Sequence, residues 1–538
     1  MKASDIFVKI LEKHGVKTIY GVPGEENLDF LDSLSRSKIE LIVTRNEQTA
    51  VFMAATYGRF TGKIGVALST LGPGATNLIT GVGYAQLGAM PVLVITGQKP
   101  IKKSKQGGFQ IIDVVAMMKP ITKYSKTITS GSRIPYVLNN AIKIAEEERH
   151  GAVHIELPED IAGEELDIDE NHIHPIPILR RPNPDDKIIK LLIDEIEKAK
   201  SPIILIGAGT NRKRVTKYLT KFIKKYNIPY FTSQMGKGVV EGCGEQYLGT
   251  AALTTGDYIH EALDKSDLIL SVGYDTVEKP TKVLCGNSIK VIHINFYITE
   301  SDVVYAPYMG VIGDIGYTFW KLYEKKIDNS NWNFDDIYKI REKSVKKIHD
   351  NLKLEDYNSI MMPRKFVNDL REALDVEDIL ALDNGLYKVW IARNYRAYKP
   401  NTLLLDNAFA AMGAGLASAM EAKRINPDKK VVCVTGDGGI VMNLGDLETA
   451  VRLKLDLVVI ILNNKNYGMI RWKQKDAGFK DFGLSFNNPD FVKLAESFGA
   501  KGYKVIDKND FSQVLIKALD SKGINIIDLD FEYPDEIK

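Results

Sequence analysis

Two polar turns in the last third of the chain could together hold a cation and a phosphate group. Gly436-Asp437-Gly438-Gly439 follows the apolar run 431–435, and Asn463-Asn464 follows the apolar run 457–462. If both runs are parallel strands, the turns meet at one edge of a sheet, where open α/β sheets bind ligands. Asp437 and Asn464 would offer Mg²⁺ hard oxygen ligands, and glycine amides would approach phosphate oxygens. One glycine turn alone would equally suit a surface loop, whereas the paired spacing is far more specific.

A glutamate near the N-terminus could exchange a proton with a bound molecule. Glu47 lies between the apolar run 41–44 and a helix predicted over 47–60. On its own it would be an ordinary first-turn glutamate, because acidic side chains favour helix N-termini. Its apolar neighbours, residues 51–53, are compatible with a buried site for proton transfer. The residue type therefore leaves both interpretations open.

The elements that position these residues alternate between short apolar runs and helical patterns, which is typical of parallel α/β domains. We predict three doubly wound parallel-sheet domains, at 1–165, 187–330 and 360–538. A proline-rich linker over 164–186 separates the first two, and a charged helical connection over 332–354 precedes the third. The predicted strands are 41–44, 65–71, 91–96, 154–158, 202–209, 268–273, 311–314, 379–382, 431–435 and 457–462.

Composition excludes several classes of protein. The 538 residues include 71 Lys and Arg and 69 Asp and Glu, and no basic stripe of the kind that binds nucleic acid occurs. Apolar runs are far shorter than the ~20 residues that cross a membrane, and the start of the chain does not look like a signal peptide. Three widely spaced cysteines fit neither disulfides nor a zinc site. These features favour a cytoplasmic protein.

With these motifs in place, the chain resembles the acetolactate (acetohydroxyacid) synthases, which are thiamine-diphosphate enzymes, over nearly its whole length. The resemblance implies thiamine diphosphate and Mg²⁺ as cofactors. It assigns the metal to Asp437, Asn464 and the main-chain oxygen of Asn466. Met412 matches the apolar residue that bends the cofactor, and Met469 a second wall of the pocket. The phosphate-side glycines would be Gly385, Gly436, Gly438, Gly439 and Gly468.

The same resemblance places the cofactor's pyrimidine in the first domain. Glu47 falls on the catalytic glutamate, which in the family promotes the imino form of that ring. Gly24, Pro73 and Asn77 match the pyrimidine pocket. The Phe109-Gln110 pair matches the substrate side, with Gln110 among the catalytic residues.

The activity implied is decarboxylation of pyruvate and ligation of the two-carbon fragment to a second 2-oxo acid, giving 2-acetolactate. None of the eight histidines lies in these motifs, which favours ligation over protonation and aldehyde release. A 2-oxo acid decarboxylase, a carboligase with another acceptor, and a non-catalytic binding homologue are the alternatives. In the family the cofactor bridges two subunits, so a homodimer or homotetramer is implied, and a small regulatory subunit stays open.

Several positions depart from the family pattern. Gly207-Ala208-Gly209 resembles a nucleotide-binding turn, but residues 272–278 lack the flavin-binding segment of biosynthetic relatives, so we expect no FAD. Glu25-Glu26 would repel an oxo acid unless they are neutralised or point away. Trp472 stands one position early and Lys473 takes its place, which favours pyruvate as both donor and acceptor. Lys473 or Arg471 could pair with the acceptor carboxylate, or each could be a solvated surface cation.

Overall fold

The framework of the protein is three successive sheets of six parallel strands. The computed structural model describes residues 1–102, 107–167, 181–242, 244–251, 258–278, 289–299, 305–343 and 363–533. Every strand pairing within the three sheets is parallel. Parallel strands need crossover connections, which helices supply here. The predicted α/β class with three parallel-sheet domains is confirmed.

The first sheet has the order β2-β1-β3-β4-β6-β5. Strands β3, β4 and β6 are buried at every position, because helices cover both faces of a parallel sheet. The strands are β1 (Thr18–Gly21), β2 (Glu40–Val43), β3 (Gly65–Ser69), β4 (Val92–Gln98), β5 (Tyr124–Thr127) and β6 (Ala152–Pro158). The helices are α1 (Ala3–Lys13), α2 (Leu28–Ser35), α3 (Glu47–Thr61), α4 (Gly72–Asn77), α5 (Ile79–Leu87), α6 (Val114–Met118), α7 (Ile134–Glu146) and α8 (Glu159–Ala162).

The second sheet has the order β12-β11-β10-β7-β8-β9. Its strands are β7 (Pro202–Ile206), β8 (Tyr230–Thr232), β9 (Tyr247–Thr250), β10 (Leu268–Val272), β11 (Lys290–Asn295) and β12 (Met309–Ile312). Its helices are α9 (Asp186–Lys198), α10 (Lys213–Tyr226), α11 (Tyr258–Leu263) and α12 (Ile315–Glu324). A further helix begins at 335, inside the predicted connection. Residues 168–180 of the predicted linker and 344–354 of that connection lie outside the described residues.

The third sheet has the order β14-β13-β15-β16-β18-β17. Its strands are β13 (Ile379–Leu382), β14 (Leu403–Leu404), β15 (Val431–Gly436), β16 (Leu457–Asn463), β17 (Lys501–Val505) and β18 (Ile524–Asp530). Its helices are α13 (Pro363–Ala373), α14 (Tyr387–Asn394), α15 (Ala414–Ile425), α16 (Asp437–Met442), α17 (Leu447–Arg452), α18 (Gly468–Asp476), α19 (Phe491–Ser497) and α20 (Phe511–Leu519). The adjacent strands β15 and β16 end at the two polar turns, as the sequence predicts.

The first and third domains share one apolar core, which runs between helices α3 and α15. Alanines dominate that contact, including Ala50 and Ala54 from α3 and Ala417 from α15. Small side chains let two helices approach closely, and the Thr56 hydroxyl donates to Ser418 Oγ at 3.2 Å across the contact. The helix that begins with Glu47 is thus fixed against the third domain.

A search of the described helices found none that is both long and apolar enough to cross a membrane.

Candidate active site

Glu47 is the first residue of helix α3, and its carboxyl group is buried. Asn46 adopts the extended conformation of an N-cap, and its side-chain oxygen accepts the Gln48 amide at 2.8 Å. Only 8% of Glu47 is exposed. Asn77, at the end of α4, donates from its side chain to Glu47 Oε2 at 2.9 Å. The structure therefore brings two predicted site residues, Glu47 and Asn77, into direct contact.

Two glycine turns pack against Thr70, and one of them also lies beside the Glu47 carboxylate. A Cβ atom on Gly74 would lie 3.2 Å from Glu47 Oε1 and 3.0 Å from the methyl carbon of Thr70. A Cβ atom on Gly24 would collide with the same threonine, at 2.4 Å. Pro73 stands in the first turn of α4, where its missing N–H costs no helical hydrogen bond. The turns at Gly24 and Gly74 thus meet at Thr70, a residue that sequence reasoning missed.

Phe109 and Gln110 lie beside the second of these turns. Gln110 has a positive φ of 58°, which is uncommon for a residue other than glycine. Its main-chain oxygen is 2.8 Å from where Gly72 would carry a Cβ atom. Phe109 is 64% exposed. The pair therefore passes over the Gly72–Gly74 turn with an aromatic side chain open to solvent.

Asp437 organises the turn between strands β15 and β16. Its Oδ1 accepts the Gly438 amide at 2.9 Å, and its Oδ2 accepts the Asn464 amide at 3.0 Å and the Lys465 amide at 2.5 Å. Asn488 adds a side-chain donor to Oδ2 at 2.8 Å. Burial raises the pKa of Asp437 above its ordinary value, while these N–H donors act in the opposite direction. Sequence reasoning missed Asn488, whose Asn-Asn-Pro context carries no motif.

Asn464 and Asn466 occupy the loop that follows β16. The Asn464 side-chain nitrogen is 3.3 Å from where Gly468 would carry a Cβ atom. The Asn466 main-chain oxygen accepts the Gly468 amide at 3.0 Å, which leaves it a second lone pair. The Asn466 side-chain oxygen is buried and has no hydrogen-bond partner among the described residues. Asp437, Asn464 and Asn466 therefore lie in one loop cluster.

Asp383, directly after β13, fixes the glycine-rich backbone behind Asp437. Both of its carboxylate oxygens accept the Gly413 amide, at 2.9 and 3.0 Å, and Oδ2 accepts the Thr435 hydroxyl at 3.0 Å. A Cβ atom on Gly439 would lie 2.4 Å from this carboxylate. Gly413 has a φ of 86°, where glycine is favoured, and it sets the path of the half-buried Met412. The sequence offered one signal for Asp383, a polar turn directly after a predicted strand.

The other phosphate-side glycines differ in the space around them. A Cβ atom on Gly385 would collide with the Tyr387 ring at 2.4 Å, and one on Gly438 would lie 2.8 Å from the Tyr467 ring. At Gly436 the nearest atom would be 3.5 Å away, an ordinary contact. Aromatic rings therefore approach Gly385 and Gly438 too closely for a Cβ atom, whereas Gly436 has room for one.

Helix α18 carries its cations on the protein surface. Lys473 Nζ lies 4.1 Å from the centre of the Trp472 ring and 3.9 Å from Asp476. Arg471 Nε pairs with Asp481 at 2.8 Å. Met469 and Trp472 are partly buried against the third-domain core. None of these contacts joins Trp472 or Lys473 to Glu47 or to Asp437.

The first and third domains contact each other beside Glu47 within one chain. The Arg45 amide, two residues before Glu47, donates to Asp446 Oδ1 at 2.8 Å, and the Arg452 side chain donates to the Val43 main-chain oxygen. Within the described residues, no hydrogen bond or ion pair links Glu47 to Asp437. The loop before Glu47 is thus held against the third domain at Asp446 and Arg452.

The Gly207–Gly209 turn of the middle domain uses its amides within the protein. The Gly207 and Gly209 amides donate to the main-chain oxygens of Val272 and Gly273, at 2.9 and 2.8 Å. The Ala208 amide donates to Glu278 Oε1 at 2.8 Å, and the Ser233 hydroxyl donates to the second oxygen of this carboxylate. Burial raises the pKa of Glu278 to about 7. A buried carboxylate thus stands where a nucleotide-binding turn would receive phosphate.

The two glycines of this turn have a packing role. A Cβ atom on Gly207 would lie 2.3 Å from the Tyr274 Cα atom, and one on Gly209 would lie 2.9 Å from the Gly273 oxygen. Nearby, Arg149 pairs with Asp275 across the first and middle domains. Glycine at 207 and 209 is therefore explained by the close approach of two turns.

The histidines that the structure describes lie away from the candidate site. His154 is buried between the hydroxyls of Thr96 and Ser125, at 2.9 and 2.8 Å. His293 contacts Tyr305, and His14 contacts Asn139. His172, His174 and His349 are outside the described residues. No hydrogen bond joins a described histidine to Glu47 or Asp437.

Comparison with known proteins assigns this arrangement to a family. Three family models match: thiamine pyrophosphate enzyme N-terminal TPP binding domain at residues 1–117, central domain at 189–322, and C-terminal TPP binding domain at 383–529. The acetolactate synthase of Bacillus subtilis is 32% identical, over 100% of this chain and 94% of its own. A probable acetolactate synthase large subunit from Methanococcus aeolicus is 33% identical, over 98% of this chain and 92% of its own. A catabolic acetolactate synthase from Raoultella terrigena is 30% identical, over 99% and 95%. The chain therefore belongs to the acetolactate synthase family of thiamine-diphosphate-dependent enzymes.

Proposed function

We propose that this chain uses thiamine diphosphate and Mg²⁺ to decarboxylate pyruvate and to join the two-carbon fragment to a second pyruvate, giving 2-acetolactate. The observation that carries the proposal is the buried Glu47 carboxyl group held by Asn77 at the start of α3. A carboxyl group in this setting can exchange a proton with a ring nitrogen. The relatives named acetolactate synthase support the choice of reaction.

The residues around Asp437 fit a diphosphate and a divalent cation. Asp437 Oδ1 and the Asn466 main-chain oxygen each accept one N–H and retain a lone pair for a cation. Asn464 would supply the third protein ligand. The Gly439 amide, in the first turn of α16, would donate to a diphosphate oxygen, with Gly385, Gly436, Gly438 and Gly468 around it.

Each remaining residue has a proposed role in orientation. When bound, thiamine diphosphate supplies the electron sink for loss of CO₂ and for the new C–C bond. Glu47 holds a proton at the pyrimidine side, and Asn77 orients its carboxyl group. Met412 and Met469 would support the ring system, while Phe109 and Gln110 would shield the substrate from water. Trp472 and Lys473 remain proposed substrate-side residues, although Trp472 packs against the third-domain core and Lys473 contacts Trp472 and Asp476.

We also propose that the protein works without a flavin. A dinucleotide needs free amides at a glycine turn to bind its pyrophosphate. The Gly207–Gly209 amides are all engaged, one of them by Glu278, so these residues do not fit a flavin dinucleotide.

The proposed domains remain 1–165, 187–330 and 360–538, each of which encloses one sheet.

A homodimer is the proposed functional unit. Apolar side chains are exposed on both domains that carry the candidate site, and exposed apolar patches mark protein interfaces. In the first domain they include Phe109, Ile111 and Ile112, and in the third domain Met442, Ile470, Phe479 and Phe482. A second copy of the chain would cover these surfaces and could bring Glu47 of one copy to Asp437 of the other.

Product analysis tests the proposed reaction. The purified protein is incubated with pyruvate, thiamine diphosphate and Mg²⁺, and then with added 2-oxobutyrate. We expect CO₂ and acetolactate from pyruvate alone, with little ligation to 2-oxobutyrate. Acetaldehyde without acetolactate would identify a decarboxylase. Cofactor binding without consumption of any 2-oxo acid would identify a non-catalytic homologue.

A further inference from the structure

A buried ion pair lies beside the candidate site in the first domain. Lys99 Nζ and Glu26 Oε1 are 2.5 Å apart, and their side chains are only 4% and 3% exposed. Glu26 comes from the turn after Gly24, and Lys99 directly follows strand β4. Glu26 also accepts the Thr70 hydroxyl. The pair therefore joins three loops at the carboxyl edge of the first sheet.

Acidic groups surround this lysine. The hydrogen bond from Lys99 to Glu26 raises the pKa of Lys99, and the charges of Glu25 and Glu159 act in the same direction. Burial, together with nearby Glu26 and Glu25, raises the pKa of Glu159. Lys99 and Thr70 hold the pKa of Glu26 below its ordinary value, although burial opposes them. Glu26 is therefore an ionised carboxylate whose charge Lys99 balances.

Thr70 connects the pair to Glu47. Its hydroxyl binds Glu26, while its methyl carbon and Glu47 Oε1 flank the same Gly74 position, at 3.0 and 3.2 Å. Lys99 also begins the segment that leads to Phe109 and Gln110, the latter packed on the Gly72–Gly74 turn. The ion pair is therefore linked through Thr70 to the Gly72–Gly74 turn, against which both Glu47 and Gln110 pack.

A 2-oxo acid carries a negative carboxylate, so the net charge at this edge affects its binding. An unbalanced Glu26 would repel it, because charge interactions in a partly buried setting persist over several ångströms. We propose that Lys99 determines specificity for an anionic substrate by neutralising Glu26. This inference rests on the proposed function and deepens it. Lys99 acts through Glu26 and is a positioning residue.

The test compares the two single variants with the double variant. Lys99→Gln leaves Glu26 unbalanced, and we expect KM for pyruvate to rise about tenfold with kcat within about twofold. Glu26→Gln leaves the lysine charge unbalanced, and KM should stay level or fall. The Glu26→Gln/Lys99→Gln double variant should return KM to near the wild-type value. Lys99→Arg should retain that value.

A matched control lies three residues along the chain. Lys102 pairs with Glu164 at the surface, where its side chain is 53% exposed, so Lys102→Gln should leave KM unchanged. Thermal unfolding of the cofactor-free variants gives a second readout, independent of turnover. Each single variant should lower the midpoint, because it leaves a buried charge unpaired, and the double variant should lower it less than the sum.

The kinetic results distinguish the proposed role of Lys99 from a purely structural role of the ion pair and from an error in the proposed function. A rise of KM in Lys99→Gln that the double variant cancels, with KM level or lower in Glu26→Gln, supports the proposal. A loss of kcat and a rise of KM in both single variants would overturn it and leave a purely structural brace. If the wild-type protein consumes another 2-oxo acid but not pyruvate, only the proposed function is overturned. The KM values of the variants are then compared with that acid as the substrate. If the single variants raise KM equally for that acid, the inference falls as well.

Discussion

Asp437 and Asp383 each accept several N–H or O–H groups from the backbone and side chains around them. These bonds form within the chain and fix the turns that would receive a cofactor. Residues that are already oriented bind a ligand at lower entropic cost. At the residue scale, the third-domain half of the site is therefore organised before a ligand binds.

Glu47→Gln tests the proton-exchanging group. Glutamine can keep the contact with Asn77 but cannot release a proton, so the fold should persist while acetolactate formation falls at least about a hundredfold. Steady-state kinetics and circular dichroism measure the two effects. Glu496→Gln, at an exposed position of α19, is the control. Wild-type rates in Glu47→Gln would remove Glu47 from the mechanism.

Asn464→Ala tests the proposed metal ligand without removing a hydrogen bond that holds the loop. Asp437→Ala would free several partly buried amides and so destabilise the turn, whereas no hydrogen bond of the Asn464 side chain to a described residue is lost in Asn464→Ala. We expect Mg²⁺-dependent affinity for thiamine diphosphate to weaken about tenfold or more, with the unfolding midpoint of the cofactor-free protein unchanged. Calorimetric titration measures the affinity. Equal affinities for both proteins would contradict the assignment.

His154 predicts a loss of stability in acid. Burial lowers its pKa to about 3, from an ordinary value of 6.5. Below pH 6.5 the unfolded chain binds a proton that the folded protein does not, so the free energy of unfolding decreases as the pH falls. Between pH 7 and pH 5 this contribution is about 2 kcal/mol. The free energy of unfolding, measured in urea, should fall less between pH 7 and pH 5 in His154→Gln than in the wild type, by that amount. Equal falls in the two proteins would rule the contribution out.

The candidate site divides into residues that the sequence could indicate and residues that it could not. Glu47 and Asp437 lie at helix starts that follow strands, and Asn77 ends the short helix that begins at a glycine turn. Hydrophobic runs and glycine turns predict these positions. Thr70 and Asn488 reach the site through tertiary contacts, and their own sequence surroundings carry no motif. Periodicity identifies the framework, and side chains that bind to it from other loops become visible only in three dimensions.

At the scale of elements, most of the predicted strands are buried along their whole length, whereas the predicted edge strands β2 and β12 are partly exposed. Strands β15 and β16 are buried almost throughout, and their apolar runs are recognisable in sequence. The edge strands β5 and β17 are partly exposed, and their residues, Tyr-Ser-Lys-Thr and Lys-Gly-Tyr-Lys-Val, show no apolar run. An edge strand has one neighbour and needs less apolar surface, which explains why pattern analysis missed β5 and β17, although it found the edge strands β2 and β12.

The turn at Gly207–Gly209 yields an element-scale prediction. Glu278→Ala removes the carboxylate that binds the Ala208 amide and the Ser233 hydroxyl, and it should lower the unfolding midpoint. Millimolar acetate should restore part of the loss by entering the same space, with no effect on the wild type. Glu496→Ala serves as the exposed control.

Two results would count against this account of the turn. One is a Glu278→Ala variant as stable as the wild type. The other is wild-type protein that purifies with the visible absorbance of a flavin, which would show that the turn accepts a dinucleotide after all.

At the scale of the whole molecule, each site of the proposed homodimer would contain Glu47 from one chain and Asp437 from the other. If it does, mixing the inactive Glu47→Gln and Asp437→Ala proteins should restore activity, because half of the mixed dimers' sites receive neither substitution. When equal amounts are mixed and subunits exchange freely, about a quarter of all sites carry neither substitution. Activity after unfolding and joint refolding measures this. A mixture as inactive as its components would confine each site to one chain.

The contact between helices α3 and α15 constrains how the sequence can change during evolution. Thr56 and Ser418 meet across it although 362 positions separate them in sequence. A bulkier residue at either position would demand a smaller one at the other, so these positions should drift together among homologues. For the same reason, chimaeras that take the first domain from one homologue and the third from another should fold well only when both helices come from the same parent.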